Sequence, residues 1–250
     1  MLGVLESGGL RIHYEMAGSG VPLLLLNGLT RPVQTWRRFL KASPGRSTLA
    51  IDAPGVGRSS SPTAPVSIPA QARLVAEVLD SLELDAVDVL GYSHGGLVAQ
   101  QLAADLGNQV SRLVLVATSC GVGAAPARSG WSGLATGTWP GSTPFGTSVS
   151  ELNVFLGQML AVSTWSSIPF LGSIQAATLV VHGSRDEVSP PENGALLARR
   201  IPGAQLHVLS AGHDMQKDGN APLLARVVAE FLGPATPDLL EGRTEPARDI

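Results

Sequence analysis

Ala86-Val-Asp-Val-Leu-Gly-Tyr-Ser-His-Gly-Gly-Leu-Val-Ala-Gln100 decides the fold. A short strand-like run enters Gly91-Tyr-Ser-His-Gly-Gly96 and leaves as a helix, in which Leu97, Val98, Gln101 and Leu102 recur at helical spacing. This is G-x-S-x-G between a strand and a helix, the setting that pattern requires. A serine on so sharp a turn has a strained backbone, and side chains two residues before and after it would collide. Gly91 and Gly95 meet that demand, and Gly96 adds room. The turn lifts the Ser93 hydroxyl clear of the sheet, and the helix points its amide end at the same place.

The pattern repeats outward in both directions. Arg11–Met16 alternates polar and apolar, whereas Pro22–Leu26 and Thr48–Asp52 are short, continuous apolar runs of the kind buried in parallel sheets. Pro69–Leu84 carries Leu74, Val75, Val78, Leu79 and Leu82 on one helical face. Beyond the elbow come a strand at Arg112–Ala117, another at Thr178–His182, a helix at Pro191–Ile201, a strand at Gln205–Leu209 and a helix at Ala221–Leu232. Strands alternating with helices predict a parallel sheet wrapped by helices. The alternation breaks from Gly121 to about Gly172, a stretch rich in Gly, Ser, Thr and Pro that holds Trp131, Trp139, Phe145, Phe155, Trp165 and Phe170, six of the chain's eleven aromatics. Residues 121–172 are expected to form a lid over the strand ends, or, more plainly, a helical layer whose aromatics pack. The core is then 1–120 with 173–233, and the proline-bearing residues 234–250 are expected to be a loose tail.

Composition narrows the function. The 250 residues are 44% hydrophobic and 15% charged, which excludes a disordered chain, and the apolar runs are far below the ~20 residues of a bilayer span. A net charge of −3 leaves no basic field for nucleic acid or an anionic membrane. Cys120 stands alone, so an internal disulfide and cysteine-based metal clusters are out. No leader-like start is present, and the expectation is a cytoplasmic protein. Neither a phosphate loop nor a dinucleotide fingerprint occurs: Gly55-Val-Gly57 lacks the third glycine and follows the wrong strand. No metal-ligand spacing is found, so neither cofactor nor metal is expected.

A serine needs a base to become a nucleophile. Of His13, His94, His182, His207 and His213, the last follows the final strand in Ser210-Ala-Gly-His213, beyond a carboxyl end where open α/β sheets bind ligands. His13, His182 and His207 read as structural. An imidazole base needs a carboxylate behind it, and Asp186 lies just past the strand ending at His182, with Glu187 as its immediate rival. Asp52 reads as a turn cap. The order Ser93, Asp186, His213 is serine, acid, histidine. A tetrahedral intermediate calls for two N–H donors: those of His94 and, in the loop after Leu26, of Leu29. Gly28 allows close approach, Asn27 orients the loop or touches substrate, and the His94 side chain lines the pocket.

From about Leu10 to Leu232 the chain resembles an α/β-hydrolase fold protein. Several segments are similar to the intracellular depolymerases of medium-chain-length polyhydroxyalkanoates: Leu26-Asn-Gly28, Asp52-Ala-Pro-Gly-Val-Gly-Arg-Ser-Ser60, Trp165-Ser-Ser-Ile168, and Arg200-Ile-Pro-Gly-Ala-Gln-Leu-His207 leading to Gly212-His213. The resemblance implies a mostly parallel, eight-stranded sheet with helices on both faces and a short lid. It carries that family's serine, aspartate and histidine onto Ser93, Asp186 and His213. Two features depart from that family: His94 stands where it usually has Trp, and the 121–172 segment is shorter and richer in Gly, Ser and Thr. The expected activity is hydrolysis of a small or oligomeric aliphatic or hydroxyacyl ester through an acyl-enzyme, with Asn27, Gly28 and the lid aromatic Trp165 at the substrate. The alternatives are a non-hydrolytic enzyme of this fold, such as a cyclase or acyltransferase, and a binding protein of this fold. An Asp nucleophile, which dehalogenation or epoxide opening wants, is not at position 93.

Overall fold

The computed structural model describes residues 1–43, 45–128 and 149–233. The expectations for Trp131, Trp139, Phe145 and the 234–250 tail lie outside the described residues. An eight-stranded sheet runs in the order β1-β2-β4-β3-β5-β6-β7-β8. Its strands are β1 (Leu2–Ser7), β2 (Leu10–Ala17), β3 (Leu23–Leu26), β4 (Thr48–Ile51), β5 (Val87–Tyr92), β6 (Val110–Val116), β7 (Ala177–Gly183) and β8 (Gln205–Leu209). Pairings β1–β2 and β2–β4 are antiparallel and the rest parallel. The described helices are α1 (Arg37–Lys41), α2 (Ile68–Ser81), α3 (His94–Leu106), α4 (Val149–Ser163), α5 (Pro191–Arg200) and α6 (Ala221–Leu232).

The central strands β3 to β6 are apolar on both sides, and two cores form on the two faces. One packs α2 and α3 through residues such as Val75, Leu79, Leu97 and Leu102. The other packs α6 and the α1 region through Trp36, Phe39, Leu224 and Val228. Helix α2 starts at Ser67, whose hydroxyl accepts the Ala70 N–H, with Pro69 in the first turn where no intrahelical N–H bond is lost. The last carbonyls of α6 are satisfied from across the sheet: Arg112 Nη1 donates to Leu232 O and Arg46 Nη2 to Gly233 O, both at 2.6 Å.

Three elements differ from the sequence reading. Strand β1, joined to β2 through Gly8 and Gly9 at φ 55° and 77°, was not expected. Its Leu2 and Val4 face solvent at 64% and 56% exposure, so its alternation does not mark a buried face. The short helical turns at 33–41 were not expected either. Within 121–172, α4 is a regular helix. It exposes Val149, Leu152, Leu156 and Leu160 and buries Val154, Phe155 and Ala161, so it is apolar all round and shows no stripe.

Asp52 follows β4 and is fully buried. Its Oδ1 accepts the Val33 N–H at 2.8 Å and its Oδ2 the Arg58 N–H at 3.0 Å, so it caps two loops at once. Gly57, at φ 57°, faces it so closely that a Cβ there would lie 2.3 Å from Oδ2. Asp52→Ala leaves the Val33 N–H buried and unpaired, a loss of about 1–3 kcal/mol. Denaturant unfolding is expected to show a lower midpoint with unchanged slope, and a smaller loss for Asp52→Asn, which keeps an acceptor.

Candidate active site

Strand β5 runs into α3 through Ser93, whose backbone sits at φ 52°, ψ −118°. A non-glycine residue there stores about 1–3 kcal/mol, held in place by its surroundings. The Ser93 N–H donates to Val116 O at 2.9 Å, and its carbonyl accepts the Gly96 N–H and the Thr118 hydroxyl. A Cβ at Gly91 would meet that of Ala99 at 2.6 Å, one at Gly95 the Leu26 carbonyl oxygen at 2.2 Å, and one at Gly96 Thr118 Oγ1 at 2.4 Å. The glycines are therefore required by contact as well as by conformation.

Three residues predicted from sequence come together here. The Ser93 hydroxyl donates to His213 Nε2 at 3.0 Å, and the His213 Nδ1–H donates to Asp186 Oδ2 at 2.8 Å. The other Asp186 oxygen accepts the amides of Val188 and Ser189 at 3.0 and 2.8 Å, so the carboxylate is fixed at both ends. Glu187 is exposed. His182 lies under this turn, with Nε2 2.7 Å from Ser189 O and 3.8 Å from Asp186 Oδ2. Burial pushes its pKa down, so it stays neutral there. The arrangement can transfer the Ser93 proton to an imidazole whose tautomer and cation are supported by a carboxylate.

Neither the Leu29 N–H nor the His94 N–H has an acceptor among the described residues. The Gly28 N–H, by contrast, is taken by Asn27 Oδ1 at 2.9 Å. A cavity of about 350 Å³ opens beside Ser93, Leu29 and His94. Its apolar walls include Leu97, Ala124, Met159, Val162 and Val188, and no Asp, Glu, Lys or Arg lines it among the described residues. Met159 and Val162 come from α4, and the absence of a polar period there hid them from sequence reading.

Of the three residues expected at the substrate, Trp165 needs correction, and Asn27 and Gly28 have their places in the loop after β3. Trp165 does not line this cavity: it is 8% exposed, packs edge-on to Phe170 and donates its indole N–H to Gln101 Oε1 at 2.8 Å, inside the α2–α3 core. Asn27 faces inward. Its Nδ2 donates to Pro32 O and Thr35 Oγ1, and its Oδ1 accepts from Gly28 and from Gln216 Nε2, so it orients the loop. Gly28 lies against the Tyr92 ring, where a Cβ would come within 3.2 Å of Cδ1. Among the described residues no group of three or more His, Cys, Asp or Glu side chains could hold a metal, and no helix is long and apolar enough to cross a membrane.

The His94 ring is buried, which pushes its pKa from 6.5 down to about 4. Above pH 6.5 neither the folded nor the unfolded chain protonates it. Between 6.5 and 4 only the unfolded chain does, so stability falls as pH drops, by on the order of 3 kcal/mol over that window. Urea unfolding of His94→Leu is expected to lose less stability than wild type between pH 6.5 and 4; parallel curves would show that the ring is not held neutral.

Residues 21–138 match the family model described as alpha/beta hydrolase fold. The chain is 32% identical over 238 residues to a poly(3-hydroxyalkanoate) depolymerase of Ectopseudomonas oleovorans, covering 84% of each. It is 28% identical over 267 residues to the 2-hydroxymuconate semialdehyde hydrolase of Pseudomonas sp. strain CF600, covering 91% of this chain and 92% of the other. A crystal structure of a hydrolase from Pseudomonas aeruginosa PA01 superposes with a TM-score of 0.78 at 29% identity, over 93% of this chain and 98% of that one. With its sheet order, its serine elbow and these relatives, the chain belongs to the α/β-hydrolase fold family.

Proposed function

We propose that this chain is a serine hydrolase that cleaves an uncharged carboxylic ester with an aliphatic or hydroxyacyl group. The observation that carries the reading is the relay from Ser93 Oγ to His213 Nε2 at 3.0 Å, continued from Nδ1 to Asp186 at 2.8 Å. Ser93 Oγ attacks the ester carbonyl carbon as its proton passes to His213 Nε2. The carbonyl oxygen becomes an oxyanion that accepts the Leu29 and His94 N–H groups. The intermediate collapses, the alkoxide leaves with the proton from His213, and an acyl-enzyme remains. Water then gives its proton to His213, adds to the acyl carbon, and the acid leaves as Ser93 takes the proton back.

The walls of the cavity favour a neutral acyl group. A carboxylate buried there would meet no compensating charge, which is costly. Residues 129–150 contain no charged side chain at all, so that segment has none to supply. In the neighbouring loops Arg31 is paired with Asp214 and Arg128 with Glu192. This favours the chemistry named for the depolymerase relative over that named for the hydroxymuconate semialdehyde hydrolase, whose substrate is an organic anion. Residues 121–127 and α4, which wall the cavity through residues such as Ala124, Met159 and Val162, act as lid elements, while Trp165 to Leu171 belong to the core packing.

Initial rates on p-nitrophenyl esters of increasing acyl length test the reading. Turnover is expected to peak at medium length and to vanish in Ser93→Ala. Little turnover at any length from folded protein would overturn hydrolysis in favour of acyl transfer, cyclisation or binding. Asp186→Asn is expected to lower kcat by about 10⁴-fold and Glu187→Gln to leave it nearly unchanged; the reverse ranking would name the wrong acid. Acyl chains ending in a carboxylate are expected to react at least ~10²-fold more slowly than uncharged chains of equal length.

A further inference from the structure

The chemistry proposed above needs two loops in register: residues 27–31, which carry the Leu29 N–H, and residues 213–216, which follow His213. They leave β3 and β8, which are separated in the sheet by β5, β6 and β7, so no strand pairing relates them. Side chains do. At the base, Gln216 Nε2 donates to Asn27 Oδ1 at 2.8 Å. At the outer edge, Arg31 Nη2 forms an ion pair with Asp214 Oδ1, the two side chains 16% and 18% exposed. Between them stands the buried Tyr92. Its hydroxyl donates to the His213 carbonyl, its ring lies 5.6 Å from the imidazole, and the Arg31 guanidinium carbon sits 5.7 Å from the ring centroid. Arg31 therefore touches both the residue after His213 and the ring that supports His213. Lys217 Nζ lies 3.9 Å from the second Asp214 oxygen, beyond hydrogen-bond reach, and does not replace the arginine.

The placement of the pair says what it does. Arg31 is two residues from one reacting group, the Leu29 N–H, and Asp214 one residue from the other, His213. The pair is largely buried, so neutralising one partner leaves the other charge uncompensated, which costs stability as well. The pair also fixes a distance, and a reacting group misplaced by ~1 Å can cost ~10²-fold in rate.

We propose that Arg31 and Asp214 are a positioning pair that sets the separation between the oxyanion donor at Leu29 and the base His213. Neither touches a reacting atom; each acts through its loop, and the inference rests on the serine-hydrolase reading above.

The test compares wild type with Arg31→Gln, Asp214→Asn, the Arg31→Gln/Asp214→Asn double variant and Asp214→Glu. The readouts are kcat and KM on the best p-nitrophenyl ester, the rate at which a small fluorophosphonate labels Ser93, and Tm. Labelling needs the base and the oxyanion donors but no particular substrate, so it tests the pair even where no ester is turned over. A wild type that neither turns over an ester nor labels fails the hydrolase reading and the pair together; one that labels, with variants that label as fast, fails the pair alone. Each single neutralisation is expected to slow labelling and kcat about 10- to 100-fold with KM within about threefold. The double variant is expected to be no slower than the slower single, because the two residues act as a unit. Asp214→Glu keeps the charge but lengthens the link by one methylene, and it is expected to slow labelling about fivefold or more with Tm nearly unchanged. If the neutral variants do not fold, Asp214→Glu decides alone. Unchanged labelling in Asp214→Glu, or losses that multiply in the double variant, would overturn the proposal.

Discussion

A left-handed serine organises this molecule. Ser93 holds φ 52° because its N–H is bonded to Val116, its carbonyl to Gly96 and Thr118, and because glycines at 91, 95 and 96 let β3, α3 and the loop after β6 close around it. The close approach of Gly95 to the Leu26 carbonyl brings the loop after β3 against the start of α3. Leu29 and His94 line one cavity there. The same parallel register brings the end of β7 beside β6 and the end of β8 beside β7, and with them Asp186 and His213. The strain at one residue and the convergence of three loops are one arrangement seen from two sides.

What was legible in the sequence follows from how local each signal is. The elbow was readable because its glycines are demanded by contacts within a few residues and by one carbonyl next door. Asp186 and His213 were readable because a parallel sheet puts every strand's carboxyl end on one edge, so a carboxylate after β7 and a histidine after β8 must be neighbours. Asp52 was readable as a cap, and it caps two loops. What escaped was non-local. Strand β1 turns Leu2 and Val4 to water, and α4 is apolar on every side, so the apolar residues of neither mark one buried face. Trp165 carries a side chain suited to a ligand, yet its partner Gln101 lies far away in sequence and claims it for the fold.

The surroundings of His213 limit where protons go. Tyr92 packs against its ring, His94 follows the serine, and His182 lies beneath the acid turn. Burial pushes the pKa of Tyr92 up and those of both histidines down, so all three hold their neutral forms near pH 7. A neutral Tyr92 keeps its hydrogen as a donor to the His213 carbonyl. A neutral His94 adds no positive charge beside Ser93.

The result is a division of labour between charge and space. Hydrogen bonds link Ser93, His213 and Asp186 in one line, with an ion pair, Arg31 to Asp214, set off to the side where its charges cancel. Among the described residues, no charged side chain lines the cavity beside that line. In the reaction proposed above, a site built this way would stabilise charge that appears on the reacting oxygen and penalise charge that the substrate brings with it. In the proposed reaction, preference for a neutral acyl group and support of the His213 imidazolium go together, because a cation placed to welcome a substrate carboxylate would repel that imidazolium and compete with it for Asp186.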